Sequence, residues 1–245
     1  IHTPQKEDHA LAARKRFSFE EIFFIQLERQ KTRHEFKERN AFKIEKSMDD
    51  IAKFIERFPF KATAAQKKSI KQILADYRRG HPMSRLLEGD VGSGKTAVAA
   101  AAVYAMAISK PNGQDFGTLQ SAYMAPTEIL AFQHFDTLSR LLNPFGIKVG
   151  IYTGSKKKAD DVDVFVGTHA LLSDKLIKEE VGLVIIDEQQ RFGVDQRSLL
   201  RSKAKVPHFL TMTATPIPRT VALTLYGDLD LSIIDEMPVG RIPVK

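Results

Sequence analysis

Two short stretches of the chain carry residue types and spacings that suit phosphate chemistry. The first, GDVGSGKT at positions 89–96, fits the pattern G-x-x-x-x-G-K-[ST]. Its glycines let backbone N–H groups converge on phosphate oxygens, while Lys95 reaches the terminal phosphates and the Thr96 hydroxyl holds Mg²⁺. A strand-like SRLLE before the loop and an alanine-rich helical stretch after it favour a phosphate loop over a plain glycine-rich turn. The candidate nucleotide-binding residues are Gly89, Asp90, Val91, Gly92, Ser93, Gly94, Lys95 and Thr96.

The second stretch is VIIDE at positions 184–188, an apolar run that ends in two carboxylates. In an open α/β sheet, ligands bind beyond the carboxyl ends of the strands, where both stretches fall. Asp187 is therefore expected to hold Mg²⁺ through water, and Glu188 to orient the attacking water as the catalytic base. The alternative is a strand that ends in solvated acids. ATP and Mg²⁺ are the predicted cofactors, with Lys95, Asp187 and Glu188 as the predicted catalytic residues.

The elements that must position these residues alternate along the chain. Strands are predicted at 85–88, 121–125, 148–152, 162–166, 181–186 and 209–212. Helices are predicted at 63–78, 95–108, 127–142, 190–203 and 217–226. Helices between most of the strands imply an α/β fold with a mainly parallel sheet covered by helices.

The N-terminal part of the chain has almost no strand signal. A long helix is expected to begin near Ser18, because Ser18 and Glu21 fit a capping box. Its first turns are rich in Phe and Ile, and a second short helix is expected around 48–57.

The composition is that of an ordinary folded domain, with 245 residues, 43% hydrophobic residues and 27% charged residues. The net charge of +7 permits nucleic-acid binding without arguing for it alone. No cysteine is present, which suits a reducing compartment, and no apolar run approaches the roughly 20 residues of a membrane span. The first residue is Ile rather than Met, so the chain is expected to be a piece of a longer protein.

Six motifs occur in the order found in superfamily 2 helicases. Their residues are similar to those of the RecG family of bacterial ATP-dependent branch-migration helicases. They are GDVGSGKT, APTEILAFQHF, TGS, GTHAL, DEQQRFG and MTATPIPRT. The resemblance implies a RecA-like P-loop domain and an enzyme that hydrolyses ATP to remodel branched DNA in recombination and repair. It also implies a bacterial cytoplasmic protein that acts at the nucleoid.

The resemblance implies an adenine-recognising segment at FPFKATAAQ, with Gln66 as the base reader and Phe60 beside it. A plainer interpretation is that Thr63 and Gln66 form a capping box of the next helix. The two interpretations are compatible if Gln66 fills the two roles one after the other.

Three further segments are implied to lie along the DNA backbone, where hydroxyls, backbone N–H groups and helix N-termini suit phosphate contacts. These residues are Pro126, Thr127, Glu128, Thr153, Gly154, Ser155, Gly167, Thr168 and His169. Plain N-capping is the alternative for Thr127 and Glu128. The lysines at 156–158 are interpreted either as a solvated loop or as extra phosphate contacts.

Residues that couple hydrolysis to DNA movement are implied near two strand ends. They are Gln190, Arg191, Thr213, Ala214 and Thr215. The resembling helicases usually carry His at the position of Gln190, and only His titrates near neutral pH. The substitution is therefore expected to affect the coupling step and not the metal site.

The implied organisation is a helical connector at residues 1–57 and the first RecA-like motor domain at 58–245. The second motor domain and the DNA-gripping wedge domain of the same polypeptide are expected to be missing, so this chain alone should hydrolyse ATP very slowly. Its early Phe and Ile residues are then expected to be exposed or covered by another molecule. Alternatives are a related primosomal or transcription-repair coupling translocase, or a nucleotide switch that never remodels DNA.

Overall fold

The computed structural model describes residues 6–110, 117–155, 157–158, 161–168, 171, 180–187, 205–215 and 229–238. The chain divides into two compact units. The smaller comprises residues 1–38 with 217–229, and the larger comprises residues 39–216 with 230–245.

In the described part of the larger unit, eight strands form one sheet. They are β1 (Ser84–Gly89), β2 (Gln120–Met124), β3 (Val149–Tyr152), β4 (Lys157–Lys158), β5 (Val164–Gly167), β6 (Val181–Asp187), β7 (His208–Thr213) and β8 (Asp230–Ile234). Their order is β4-β3-β5-β2-β6-β7-β1-β8, and the described pairs are parallel except β3 with β4. The expected mainly parallel sheet is confirmed.

The parallel strands bring the candidate site residues to one edge of the sheet, because their carboxyl ends share that edge. From β3 across to β1, the last residues of the strands are Tyr152, Gly167, Met124, Asp187, Thr213 and Gly89. Asp187 and the phosphate loop are thus separated by one strand, β7. The segments implied to contact DNA follow β3, β5 and β2, which are consecutive on the other side of Asp187.

Helices α3 (Ala64–Tyr77), α4 (Lys95–Ala107) and α5 (Glu128–Leu142) of the larger unit agree with the predicted helices to within one residue at each end. α4 is the most buried, since ten of its 13 residues are inaccessible. Its alanines allow it to lie close to the sheet, where it contacts β1, β2 and β6.

The segment between Arg39 and Phe58 belongs to the larger structural unit. Phe42, Ile44, Ile51 and Phe54 lie in the same hydrophobic core as α3 and α4. Backbone hydrogen bonds also join residues 41 and 44 to the chain at the end of α3. The structural division falls after Glu38, whereas the expected boundary between connector and motor at 57/58 stays a prediction. Within this segment α2 is only four residues long, Ala52–Ile55, shorter than the helix expected at 48–57.

The long N-terminal helix, α1 (Glu7–Lys37), begins 11 residues before the expected start. Its N-cap is Lys6, which makes no side-chain capping bond, so the capping box predicted at Ser18 and Glu21 is wrong. The sequence from 7 to 37 contains neither Gly nor Pro, and the helix therefore continues through that signal. None of its residues is buried, and Phe19 and Phe24 are 68% and 64% exposed, as expected for the early apolar residues.

Two described strands were not predicted. β4 is two residues long and pairs with β3 in the antiparallel sense. β8 carries Asp and Ser among its apolar residues, and it is an edge strand held beside β1. The helices predicted at 190–203 and 217–226 lie outside the described residues. Within the described ranges, none of the helices combines the length and apolar character that crossing a membrane requires.

Candidate nucleotide-binding site

The predicted phosphate loop forms the turn between β1 and α4. Gly92 and Gly94 have φ values of +81° and +87°, in the left-handed region that favours glycine. A Cβ atom on Gly94 would also lie only 2.3 Å from Nε2 of Gln66. Gly94 is therefore needed both for its backbone conformation and for the space beside it.

The Lys95 side chain lies back over this loop. Its ammonium donates hydrogen bonds to the carbonyl oxygens of Gly89 at 2.5 Å and Asp90 at 2.9 Å. The Asp90 carboxylate accepts a hydrogen bond from the Val91 backbone N–H at 2.7 Å. Together with the N-terminus of α4, the ammonium concentrates positive charge beside the loop, as a phosphate group requires.

Gln66 holds the loop from the side of α3. Its Oε1 accepts a hydrogen bond from the Thr63 N–H, and Thr63 Oγ1 accepts one from the Gln66 N–H, so the capping box is present. Gln66 Nε2 donates to the Ser93 carbonyl oxygen at 2.6 Å. Because Gln66 is fully buried and both ends of its amide are engaged, it supports the phosphate loop in this structure. The Phe60 ring lies beside Gly94.

Asp187, at the end of β6, is held by a histidine that the sequence analysis missed. His134 of α5 places Nε2 2.8 Å from Asp187 Oδ2. Both side chains are 13% exposed. The other ring nitrogen, Nδ1, lies 3.2 Å from the Tyr123 hydroxyl on β2. The only sequence signal was a His two turns into the amphipathic helix α5, after the adjacent strand.

Tyr123 lies between this contact and the phosphate loop. Burial raises the pKa of Tyr123 well above 10, the negative charge of Asp187 adds to the shift, and the nearby Thr96 side chain opposes it. The phenol therefore stays protonated and can donate one hydrogen bond while accepting another. Tyr123, His134 and Asp187 form one hydrogen-bonded series, which we call the Tyr123–His134 bridge.

The oxygen donors of this site fit Mg²⁺. Thr96 and Asp187 supply a hydroxyl and a carboxylate, the hard ligands that this ion prefers. In the described part of the chain no three side chains of His, Cys, Asp or Glu gather around one point. Mg²⁺ is commonly held by few protein groups, with phosphate and water completing its shell.

On the other side of Asp187, α5 begins beside the carboxyl ends of β3, β5 and β2, which we call the strand-end surface. Thr127 is its N-cap and accepts a hydrogen bond from the Leu130 N–H at 3.3 Å. The Glu128 carboxylate accepts hydrogen bonds from the Ser155 hydroxyl at 2.6 Å and the Ser155 N–H at 3.2 Å. The Ser155 hydroxyl is the main reason that the pKa of Glu128 is lowered. Glu128 thus ties the TGS segment to α5.

The residues predicted along this surface divide by exposure. Thr127, Gly154 and Ser155 are exposed, whereas Thr153, Gly167 and Thr168 are buried behind them. A Cβ atom on Gly167 would lie 1.9 Å from the Tyr152 carbonyl oxygen, so glycine is required where β3 and β5 meet. Pro126 is half-buried at the start of the turn.

After β7, Thr213 and Thr215 form a tight turn around Ala214. Their hydroxyls are 3.0 Å apart, and the Thr215 N–H donates to Thr213 Oγ1 at 3.3 Å. This turn lies between the ends of β6 and β1. The remaining predicted residues lie outside the described part of the chain; these are Glu188, Gln190, Arg191 and His169.

A comparison with known protein families identifies the family of this chain. The model of the DEAD/DEAH box helicase family matches residues 63–224. The chain belongs to the DEAD/DEAH box helicase family. The matched range begins at the Thr63 cap and includes the phosphate loop, Asp187 and the turn at Thr213. Membership of this family implies the use of ATP, and the described sheet and helices form the RecA-like helicase fold.

Two curated relatives of this helicase chain are RecG proteins. The ATP-dependent DNA helicase RecG of Aquifex aeolicus is 48% identical over 240 residues, which are 93% of this chain and 29% of the relative. The Bacillus subtilis RecG is 43% identical over 253 residues, covering 98% of this chain and 36% of the relative. The chain therefore spans about a third of the length of these relatives.

Two solved helicase structures are similar in fold to this chain. The structure of RecG bound to a three-way DNA junction matches with a TM-score of 0.80 at 38% identity, over 98% of this chain and 33% of that chain. The UvsW helicase of bacteriophage T4 matches with a TM-score of 0.56 at 17% identity, over 79% of this chain and 69% of that chain. At that identity UvsW shares the fold alone.

Proposed function

We propose that this chain is the ATP-binding first motor domain of a DNA helicase that acts on branched DNA. The observation that carries the ATP-binding part is the placement of the phosphate loop and Asp187 at one sheet edge, where the Tyr123–His134 bridge holds the Asp187 carboxylate. The similarity to RecG over nearly the whole chain supports branched DNA as the substrate.

In this proposal the residues at 89–96 hold the phosphates, and Lys95 moves its ammonium from the loop carbonyls to a phosphate oxygen. Thr96 and Asp187 hold Mg²⁺, which neutralises charge on the phosphates. Glu188 orients the attacking water. Phe60 lies on the adenine side of the loop, and Gln66 reaches adenine only if its hydrogen bonds to Thr63 and Ser93 are exchanged.

The strand-end surface beyond Asp187 is proposed to meet the DNA backbone. The exposed hydroxyls and N–H groups of Thr127, Gly154 and Ser155 suit phosphate oxygens and carry no sequence information. Thr153, Gly167 and Thr168 support this surface from behind, and Pro126, Glu128 and His169 complete the proposed set. Gln190, Arg191, Thr213, Ala214 and Thr215 are proposed to couple hydrolysis to DNA movement.

We assign residues 58–245 to the motor and 1–57 to a helical connector, of which residues 39–57 pack into the motor core. The matched RecG relatives are about three times as long as the matched segment. We therefore propose that the motor works with a second motor domain and a wedge domain of the same polypeptide. Because a second domain supplies charge to the transition state, this chain alone should turn over slowly.

Thermal unfolding tests the nucleotide site in the 245-residue chain. At ATP and Mg²⁺ concentrations about 100-fold above Kd, binding adds about 2.7 kcal/mol to the free energy of unfolding, and Tm should rise by roughly 5–10 °C. Lys95→Ala should abolish the rise, whereas Lys110→Ala, at an exposed position, should retain it. An equal rise in both variants would refute the assigned phosphate loop.

The DNA-dependent part is tested with the full gene product. Its ATP hydrolysis should be stimulated by a three-way junction, and it should unwind that junction unless Lys95 is replaced by Ala. Nucleotide binding without any stimulation by DNA would instead support the alternative of a nucleotide switch that never remodels DNA. Equal stimulation by linear and branched DNA would support a translocase of the primosomal or transcription-repair coupling type.

A further inference from the structure

The Tyr123–His134 bridge ends at Asp187 and lies near Thr96, and these two side chains are proposed to hold Mg²⁺. Thr96 lies at the start of α4, whereas Asp187 lies at the end of β6, and the two elements are distant in sequence. With Nε2–H donating to Asp187, His134 Nδ1 accepts from the Tyr123 hydroxyl. Each hydrogen bond in the series therefore has a consistent direction.

The bridge has little freedom to rearrange. Tyr123 is fully buried, and its ring lies 4.7 Å from the imidazole of His134. His134 has partners at both nitrogens, so a rotation of the ring would break both contacts. α5 itself is anchored by the buried residues Ala131 and Leu138 on either side of His134. The imidazole is consequently held at one distance from the Asp187 carboxylate.

We propose that His134 is a positioning residue that fixes the orientation of the Asp187 carboxylate for Mg²⁺, with Tyr123 holding the imidazole in place. One carboxylate oxygen, Oδ2, is taken by the histidine, so Oδ1 would be the oxygen that holds Mg²⁺ through water. This inference rests on the proposed ATP-binding function. Groups that orient metal-holding side chains typically change metal affinity by about 10- to 100-fold when they are replaced.

Two conservative substitutions separate the two contacts of His134. In His134→Gln the amide nitrogen occupies the region of Nε2 and can still donate to Asp187. In His134→Asn the amide reaches only the region of Nδ1, so it can meet Tyr123 but not Asp187. Tyr123→Phe removes the hydroxyl while keeping the ring. Asp136→Asn changes an exposed residue on the same helix and serves as the matched control.

The measurement is the affinity of a mant-labelled, non-hydrolysable ATP analogue, followed by fluorescence with Mg²⁺ and with EDTA, beside the Tm of each metal-free variant. The gain in affinity caused by Mg²⁺ should fall about 10-fold in His134→Asn. It should stay near the unsubstituted level in Asp136→Asn, and fall only partly in His134→Gln and Tyr123→Phe, which both lose the contact between residues 123 and 134. Affinity in EDTA should be similar in all of them, which a general loss of structure would not produce.

The outcomes are distinct. Equal Mg²⁺ gains in His134→Asn and His134→Gln would overturn the inference, as would losses of the same size in Mg²⁺ and EDTA. If His134→Asn proves unfolded by its Tm, an unchanged Mg²⁺ gain in Tyr123→Phe would overturn it, and a reduced gain would support it. If the unsubstituted chain binds no analogue with or without Mg²⁺, the proposed function fails and the inference fails with it.

Discussion

Single residues outside the phosphate loop determine how the loop is held. Gln66 donates to the Ser93 carbonyl, and its side chain fills the space that a Cβ on Gly94 would need. The glycine is thus constrained by its left-handed backbone and by a buried neighbour. A substitution there should disturb both the loop and the capping box of α3, because Gln66 belongs to each.

Gly94→Ala and Gly80→Ala form a matched pair at this scale. Both glycines have positive φ, +87° and +74°, so alanine should cost each about 1–2 kcal/mol of stability. Only Gly94 has a neighbour within reach of the added methyl group, which should cost about 1–3 kcal/mol more. Urea unfolding of the two variants measures the difference. Equal losses would show that Gln66 moves aside freely.

Contacts between elements link distant parts of the chain to the same edge of the sheet. α5 carries Glu128, which holds Ser155, and two turns later His134, which holds Asp187. A comparable link involves β7. The buried His208 accepts a hydrogen bond at Nδ1 from the Met83 N–H and places Nε2 2.8 Å from the Phe42 carbonyl oxygen. His208 therefore joins β7 to the start of β1 and to the segment at 39–47.

The stability of the larger unit should depend on pH through His208. Burial is the main cause that lowers its pKa from 6.5 to about 4. Between these values the unfolded chain binds a proton that the native chain does not, so the free energy of unfolding falls as pH drops from about 6.5 to 4. Over this range His208 should account for a loss of about 3 kcal/mol.

Denaturant unfolding between pH 7 and pH 4 tests this contribution. His208→Gln should be less stable at pH 7, because Gln cannot serve both backbone partners, yet its stability should fall less steeply as pH is lowered. His9→Gln, an exposed histidine, should follow the unsubstituted chain. Parallel curves for His208→Gln and the unsubstituted chain would contradict the assignment.

The two units of the molecule differ in how far their described residues are buried. The larger has a continuous core from Phe42 to Ile234, and its central strand β6 is buried on both faces. The smaller contains α1, none of whose residues is buried. Because α1 buries none of its residues, its opening should expose little apolar surface, and α1 should not share the cooperative stability of the sheet.

Amide hydrogen exchange should show this difference directly. Amides of α1 should exchange by local opening, several orders of magnitude faster than those of α4 and β6, which require unfolding of the core. Denaturant at low concentration should leave the exchange of α4 unchanged while the helical signal of α1 declines. Protection of α1 equal to that of α4 would contradict this expectation.

The sequence by itself determined the features that depend on short stretches. The N-caps at Thr63 and Thr127, the predicted strands and the mainly parallel α/β class all follow from local spacing and periodicity, and the structure confirms them. The glycine-rich stretch at 89–96 forms the expected turn before α4, and its binding of phosphate is part of the proposed function. The family resemblance, carried by the ordered motifs, is confirmed as well. The start predicted for α1, near Ser18, was wrong. The capping pattern at Ser18 lies inside a run without Gly or Pro, so the helix can begin earlier, at Glu7, and pass through that pattern.

Only the tertiary structure decided which distant residues meet. The order of the strands places β2 beside β6, and this adjacency brings His134 and Tyr123 to Asp187. The same packing engages both ends of the Gln66 amide and adds residues 39–58 to the core. These contacts join residues far apart along the chain, and local propensity carries no record of them, because they depend on how whole elements pack.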